Sequence, residues 1–325
     1  MTGPQALAGS KVAVVIPSYR VTRHILDVIA GLPAWIWRIY IVDDCCPEGS
    51  GALVQAHSAD DRTIVVFNET NLGVGGAVMA GYSRAVDDGA DIIVKMDGDG
   101  QMDPALLPRF VAPIVAGEAD YTKGNRFYDL TQIGQMPRIR IFGNAGLSFM
   151  TKISSGYWDL FDPTNGYTAI HARVVSKLPL EKISQRYFFE TDILFRLNTL
   201  RAVVVDIPMD AKYGDEESGL KVGKILVDFL SKHVRNTFKR IFYNYFLRDM
   251  SLATIELAGG IALVTGGLAA GAYFWIESAE LGLPTSAGRV MLAALPVILG
   301  LQLLLGFIAF DIASVPKRAI HRLLR

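Results

Sequence analysis

The fold expected from this sequence is α/β, a mostly parallel sheet flanked by helices, followed by an amphipathic interfacial helix and two transmembrane helices. Three observations lead there. Short runs rich in Ile and Val, at residues 11–17, 38–44, 63–67 and from 91 onward, alternate with helix-compatible stretches, the signature of strand-helix-strand units joined by right-handed crossovers. The runs finish in acids, prolines or glycines, so polar groups collect at strand carboxyl ends, where open α/β sheets bind ligands. The chain is 51% apolar with a mean hydropathy of +0.30, high for a soluble protein, and the excess lies in the last quarter.

The 325 residues suit one large α/β unit plus a further part. The first strand, 11–17, is stopped by Pro17, and Ser18-Tyr19-Arg20 opens a loop. Residues 24–32 form a helix closed by Gly31 and Pro33. The strand 38–44 finishes in Asp43-Asp44, and 47–51 is its turn. After the strand 63–67, residues 68–71 lead into Gly73-Val74-Gly75-Gly76 and a helix through Val86. These glycines lack the G-x-G-x-x-G spacing, and no G-x-x-x-x-G-K-[ST] occurs, which excludes the dinucleotide and P-loop fingerprints. Close helix-sheet packing is their expected use. Farther on, 127–140 is expected as a basic loop containing Arg138 and Arg140, 141–155 as a helix, 162–167 as a turn into a strand, 188–197 as a helix and 203–208 as a strand. Residues 212–221 form a polar, glycine-punctuated loop.

The strand from Asp91 ends in Asp97-Gly98-Asp99-Gly100-Gln101-Met102-Asp103-Pro104. Two carboxylates this close along the chain each raise the cost of ionising the other. A hard divalent cation relieves that repulsion, and Mg²⁺ or Mn²⁺ typically bridges one or two carboxylates to substrate phosphates. An ordinary acidic turn is the plain alternative. An EF-hand loop is excluded, because Met102 stands where the glycine belongs and Pro108 where the last acid belongs. The formal net charge is zero, so no whole-chain basic field argues for nucleic acid. Cys45 and Cys46, the two cysteines, suit a reducing compartment and are expected as strand-end packing residues. Residues 1–10 lack the basic start and apolar core of a secretory signal.

Ile16-Pro17-Ser18-Tyr19, Val42-Asp43-Asp44, Asn71-Leu72-Gly73 with Gly75-Gly76, and the stretch from Asp97 to Pro104 together resemble the ordered signatures of glycosyltransferase family 2, of GT-A fold. Within that family the chain is most similar to the polyprenyl-phosphate glycosyltransferases of the dolichol-phosphate mannosyltransferase branch, over about residues 12–221. The resemblance implies a nucleotide-sugar donor bound along Pro17, Tyr19, Asp43 or Asp44, Asn71, Gly73 and Asp97. It implies a metal held by Asp99 and Gln101 with Asp97 beside it, and Arg126 as a phosphate ligand. In the family, acids at the positions of Glu190 and Asp192 face the acceptor. A phosphomonoester has its second pKa near ~6, so a lipid phosphate needs no general base, and these acids are expected to position acceptor or sugar. The chain departs from the pattern at Arg20-Val21, where relatives often carry Asn-Glu, and at Glu216, where they often carry arginine. Lys221 and Lys212, with Arg138 and Arg140, are then expected to supply acceptor-phosphate contacts. The resemblance also implies a homotetramer.

Residues 222–248 interleave Phe229, Leu230, Phe238, Phe242 and Phe246 with Lys232, Arg235, Lys239, Arg240 and Arg248. That pattern suits the interface of an anionic membrane, and packing on its own domain is the alternative. Residues 252–276 and 290–312 are each long enough to cross a hydrocarbon core. Cations crowd both outer flanks of this hairpin, whereas 277–289 holds one, so the catalytic domain and both termini are expected in the cytoplasm. Glu256 and Asp311 are expected at the membrane interface. Gly267 and Gly271 form a pair able to seat a neighbouring helix. The expected organisation is thus an N-terminal tail (1–10), a GT-A domain (11–221), an amphipathic juxtamembrane region (222–250), a transmembrane hairpin (251–313) and a basic tail (314–325).

The reaction expected from the resemblance is inverting, metal-dependent transfer of a sugar from the nucleotide to a polyprenyl phosphate on the cytoplasmic leaflet. Transfer to another membrane acceptor, such as a glycerolipid or a growing polysaccharide, is the enzymatic alternative. A membrane-tethered subunit that binds nucleotide sugar without turnover is the non-enzymatic one.

Overall fold

The computed structural model describes residues 9–128, 138–210 and 222–324, and side chains 138–142 and 222–226 lie outside that description. The chain forms two compact units, Met1–Thr237 with Pro316–Arg325, and Phe238–Val315.

The first unit is built on a seven-stranded sheet of β1 (Val12–Ser18), β2 (Arg38–Asp43), β3 (Thr63–Phe67), β4 (Ile92–Lys95), β5 (Tyr121–Asn125), β6 (Thr168–His171) and β7 (Val204–Pro208), in the order β3-β2-β1-β4-β6-β5-β7. The first four strands in that order are parallel, with Ser18 opposite Asp43 and Val15 opposite Lys95. β6 runs antiparallel to β4 and β5, and β5 is parallel to β7. Residues 12–16 are fully buried, as expected of a central parallel strand covered on both faces. The α/β class and these early strands are as anticipated. β5 is not: its sequence Tyr-Thr-Lys-Gly-Asn has no apolar run, and its place between β6 and β7 makes it a strand.

Among the described residues, the helices that flank the sheet are α1 (Ile25–Ala30), α2 (Ser50–His57), α3 (Val74–Asp87), α4 (Leu107–Val115), α5 (Arg138–Ser155), α6 (Ala172–Val175) and α7 (Phe189–Thr199). A Cβ on Gly81 would lie 2.4 Å from Val15 Cγ1, so this glycine lets α3 press on the sheet. The earlier glycines serve another purpose than the expected helix-sheet packing. A Cβ on Gly73 would meet the Gln185 carbonyl oxygen at 2.8 Å, and one on Gly75 the Ser184 carbonyl oxygen at 2.4 Å. They admit the backbone of the connection that precedes α7. α5 starts at Arg138, three residues before the expected 141, so Arg138 and Arg140 have helical backbone rather than loop.

The next helix, α8 (Val222–Ile241), begins in this unit. Phe229 meets Phe188 edge-on at 5.2 Å, His233 Nδ1 lies 2.8 Å from Ser154 Oγ, and Asn236 Nδ2 donates to Asp192 at 2.9 Å. One side of α8 is therefore packed on its own domain, while Val227, Leu230 and Val234 leave a second apolar stripe exposed. Packing on its own domain, the alternative reading, holds for one face of this helix.

Residues 316–325 belong to the same unit. Asp120, just before β5, is fully buried and accepts the backbone N–H groups of Val203, Ile320 and His321 at 2.8, 2.9 and 2.8 Å, with His321 Nδ1 at 2.7 Å. The His171 ring stacks on His321 at 4.3 Å. The Arg322 guanidinium donates to the Ala116 carbonyl across Gly117, whose φ of +69° and missing Cβ make room for it. The segment expected as a basic tail is held on the sheet, at the end opposite to that where β1, β2 and β4 finish.

The second unit contains a π-type turn (Phe242–Arg248), α9 (Leu252–Leu281) and α10 (Ala287–Ala313). At 30 and 27 residues and a rise of ~1.5 Å each, both helices exceed a ~30 Å hydrocarbon core. A Cβ on Gly267 would lie 2.7 Å from the Ala293 carbonyl oxygen, and one on Gly300 2.8 Å from that of Gly260. The small residues thus seat the hairpin's own partner helix. Asp311 and Arg240 have a partner the sequence did not reveal: both are buried, paired with each other at 2.6 and 2.9 Å, with Tyr245 donating to Asp311 at 2.6 Å. Such a pair fixes registry more than it stabilises. Glu256 is half-buried against Gly306, whose missing Cβ leaves it room. An apolar groove of about 850 Å³ lined by Gly271, Trp275 and Val297 has the lining of a lipid-facing surface.

Candidate active site at the strand ends

In a parallel sheet that extends in both directions from a central strand, the carboxyl end of that strand is left uncovered. Here the gap opens between β1 and β4, and a cleft of about 630 Å³ occupies it. Pro17 is the penultimate residue of β1, one residue short of where the strand finishes at Ser18, and beyond it Tyr19 is 43% exposed on the cleft wall. Arg20 adopts a left-handed conformation with φ +59°, and its guanidinium lies 5.4 Å from the centre of the Tyr19 ring. An exposed aromatic face at this position suits a nucleobase.

The two acids after β2 have separate roles. Asp43 is buried and does not line the cleft: its oxygens accept the Cys46 and Gly51 N–H groups at 2.7 and 2.6 Å and hold the turn. Asp44 reaches the cleft wall, and its carboxylate accepts from Asn68 Nδ2, Leu72 N and Gly73 N at 2.8, 2.9 and 2.7 Å. Asn71 donates to the Asp44 carbonyl at 3.2 Å. Asp44 therefore shapes the floor on which Asn71 and Gly73 meet the cleft. Cys45 is exposed, and the half-buried Cys46 Sγ accepts the Arg20 N–H at 3.1 Å, so neither is a core packing residue.

Asp97 and Asp99 both line the cleft. Asp97 Oδ1 is 2.7 Å from Lys95 Nζ, whose side chain is 2% exposed. Asp99 Oδ1 accepts the Gln101 backbone N–H at 3.0 Å. Gln101 itself lines an adjoining recess of about 190 Å³ with Asp103, Arg109 and Tyr128. Among the described residues no three His, Cys, Asp or Glu side chains converge as a metal site. The donor set is two carboxylates in the turn that follows β4, and hard oxygens of this kind fit Mg²⁺ or Mn²⁺ completing its shell with phosphate and water.

Beneath the cleft lies an ionic layer. Lys123 is buried and donates to the Asn165 carbonyl at 2.5 Å. Burial pulls its pKa below the usual lysine range, and Asp162, Glu190 and Asp206 oppose that pull. Burial likewise pushes Glu190 above the usual carboxylate range, while Lys95 and Lys123 draw it back. A Cβ on Gly166 would lie 2.2 Å from Lys95 Nζ and 2.9 Å from Asp97 Oδ2, so only glycine leaves this pair room to meet.

Several expected site residues lie elsewhere. Asp192 is 1% exposed and is enclosed by Ser184 N and Asn236 Nδ2, each at 2.9 Å, and by Arg196. It faces no cavity. Arg126 forms a two-pronged pair with Asp162 at 2.8 and 3.1 Å. Against the upward push of burial, Arg126 and Lys123 hold the Asp162 carboxyl below its ordinary value. Lys212 and Lys221, and the side chains of Arg138 and Arg140, lie outside the described residues.

Lys95, Arg186 and Tyr187 were not anticipated as site residues, though the last two line the cleft. A lysine closing a buried strand two residues before Asp97 was a legible sign of an internal partner. Nothing in Gln185-Arg186-Tyr187 separates it from an ordinary helix approach.

The family model described as "Glycosyl transferase family 2" matches residues 13–178. The undecaprenyl-phosphate mannosyltransferase of Micrococcus luteus is 29% identical over 67% of this chain and 92% of its own. The polyprenol monophosphomannose synthase of Mycolicibacterium smegmatis is 30% identical over 60% of this chain and 75% of its own. The UDP-N-acetylglucosamine–dolichyl-phosphate N-acetylglucosaminyltransferase of Methanococcus voltae is 25% identical over 75% and 98%. Among solved structures, glucosyl-3-phosphoglycerate synthase from Mycobacterium tuberculosis, in complex with Mn²⁺, UDP-glucose and phosphoglyceric acid, superposes with a TM-score of 0.55 at 16% identity, covering 73% of this chain and 81% of that one. The likeness is one of fold, and it bears out the expected GT-A architecture.

Proposed function

Because the chain belongs to glycosyltransferase family 2, we propose that it transfers a sugar from a nucleotide-sugar donor to a polyprenyl phosphate in the membrane. The observation that carries this reading is the pair Asp97 and Asp99 at the mouth of a cleft in a chain that also has two helices long enough to span a bilayer. The names of the relatives agree with it.

In this reading Tyr19 stacks on the base, Asn71 and Gly73 border the ribose, and Lys95, paired with Asp97 at 2.7 Å, aims it at the donor. Asp97 and Asp99 would hold a divalent cation, which when bound would neutralise charge on the departing diphosphate. The lipid phosphate, already largely dianionic at neutral pH, forms its oxygen–carbon bond at the anomeric centre as the sugar–diphosphate bond breaks on the opposite side, which inverts the configuration. Glu190 with Lys123 sets the electrostatic floor beneath that centre. The two apolar helices would hold the enzyme at the membrane, and the distribution of cations around them supports the cytoplasmic leaflet as the side of reaction.

The test is radiolabelled transfer by the purified full-length protein to a short-chain polyprenyl phosphate, with GDP-mannose and UDP-N-acetylglucosamine as first donors. Product is expected, and chelation is expected to abolish it until Mg²⁺ or Mn²⁺ is restored. Product with diacylglycerol and none with polyprenyl phosphate would reject the acceptor. Nucleotide-sugar binding with no product on any acceptor would favour a binding subunit.

A further inference from the structure

The cleft wall carries Asp44, Asp97 and Asp99 against the cations Arg20 and Arg186. A nucleoside diphosphate brings further negative charge, and with Lys95 already paired to Asp97 its neutralisation falls to a metal ion and the cleft arginines. Arg20 is engaged over the Tyr19 ring. Arg186 is exposed at the opposite wall, and among the described residues its guanidinium makes no ion pair. Its backbone is held firmly. A Cβ on Gly73 would lie 2.8 Å from the Gln185 carbonyl oxygen and 3.0 Å from Arg186 Cγ, the Gly76 N–H donates to Gln185 at 3.0 Å, and the Phe189 N–H donates to Arg186 at 2.9 Å.

The support continues beneath it. The Ser184 N–H donates to Asp192 Oδ2 at 2.9 Å, and Asp192 Oδ1 accepts Asn236 Nδ2 at 2.9 Å from α8. A buried carboxylate that spends one oxygen on the connection and the other on a neighbouring helix sets the position of that connection, two residues before Arg186. We propose that Arg186 is the cation that grips the donor's diphosphate and that Asp192 is its positioning residue, acting through Ser184. This deepens the proposed transfer reaction and rests on its donor being a nucleoside diphosphate sugar.

The test is calorimetric titration of the purified full-length protein with UDP and GDP, and with UMP and GMP as controls. Arg186→Ala is expected to weaken binding of the preferred diphosphate at least about tenfold, or ~1.4 kcal/mol, with a smaller loss for the monophosphate and partial recovery in Arg186→Lys. Asp192→Asn keeps the shape of the side chain but not both acceptor oxygens. It is expected to weaken diphosphate binding in the native background and to add nothing in Arg186→Ala, the non-additivity of residues acting in series. A purely structural role for Asp192 would lower affinity equally in both backgrounds and would overturn its positioning role. Diphosphate binding unchanged in Arg186→Ala overturns the whole inference while leaving the transfer reaction standing. Failure of the native protein to bind either diphosphate overturns both.

Discussion

At the carboxyl end of β4, Asp97 and Asp99 line a cleft, whereas at the amino end of β5 Asp120 is fully buried and gives its oxygens to three backbone N–H groups and the His321 ring. Both are acids at the ends of buried strands. What separates them is where their hydrogen-bond donors come from. Asp120 is satisfied by the protein itself, so its charge is used up in joining residues 316–325 to the sheet. Asp97 has one internal cation and Asp99 an internal N–H, and the space before them is open to a ligand. Asp43 and Asp192 follow the Asp120 pattern, although the sequence places them beside motifs of the Asp97 kind.

Exchanging the two ends by mutation should separate their consequences. Asp99→Ala is expected to lower turnover by roughly 10²–10³-fold or more, with an unfolding free energy within ~1 kcal/mol of the native protein. Activity assays and denaturant titration of the same preparation check both. Asp120→Ala should do the reverse. Three N–H groups lose their acceptor, which costs about 2–4 kcal/mol, while turnover per folded molecule is unchanged. Equal losses of activity in the two variants would erase the distinction.

A smaller effect comes from buried histidines. Burial holds His233 down to about 4, and His171 likewise, mainly by burial with His321 adding to it. An unfolded histidine titrates near ~6.5. Between these values the unfolded chain binds the additional proton, so stability rises with pH across the window and falls on acidification. For His233 the loss is about 2 kcal/mol between pH 7 and pH 5. Denaturant titrations at the two pH values should show it together with the share of His171, and His233→Gln should remove the His233 share while leaving that of His171. The smallest change is expected at Asp228, an exposed acid with only Lys232 four residues on. Asp228→Ala should cost no more than about 0.5 kcal/mol, which marks the level below which an acid in this protein has no structural role.

The α/β class, the first four strands, the spanning helices and the Asp97–Asp99 stretch follow from local sequence. Apolar period, turn residues and acid spacing express themselves within ten residues of chain, and length with composition picks out the two helices able to cross a membrane. The use of each acid does not follow, because it depends on donors far away in the chain. Asp192 is answered by Asn236, Asp120 by His321, Asp311 by Arg240, and Arg186 reaches the cleft only because Gly73 and Gly75 accept the backbone that carries it. Hydrogen bonds and ion pairs are short-ranged and directional, so only the folded chain decides which charges are spent internally and which remain for a substrate.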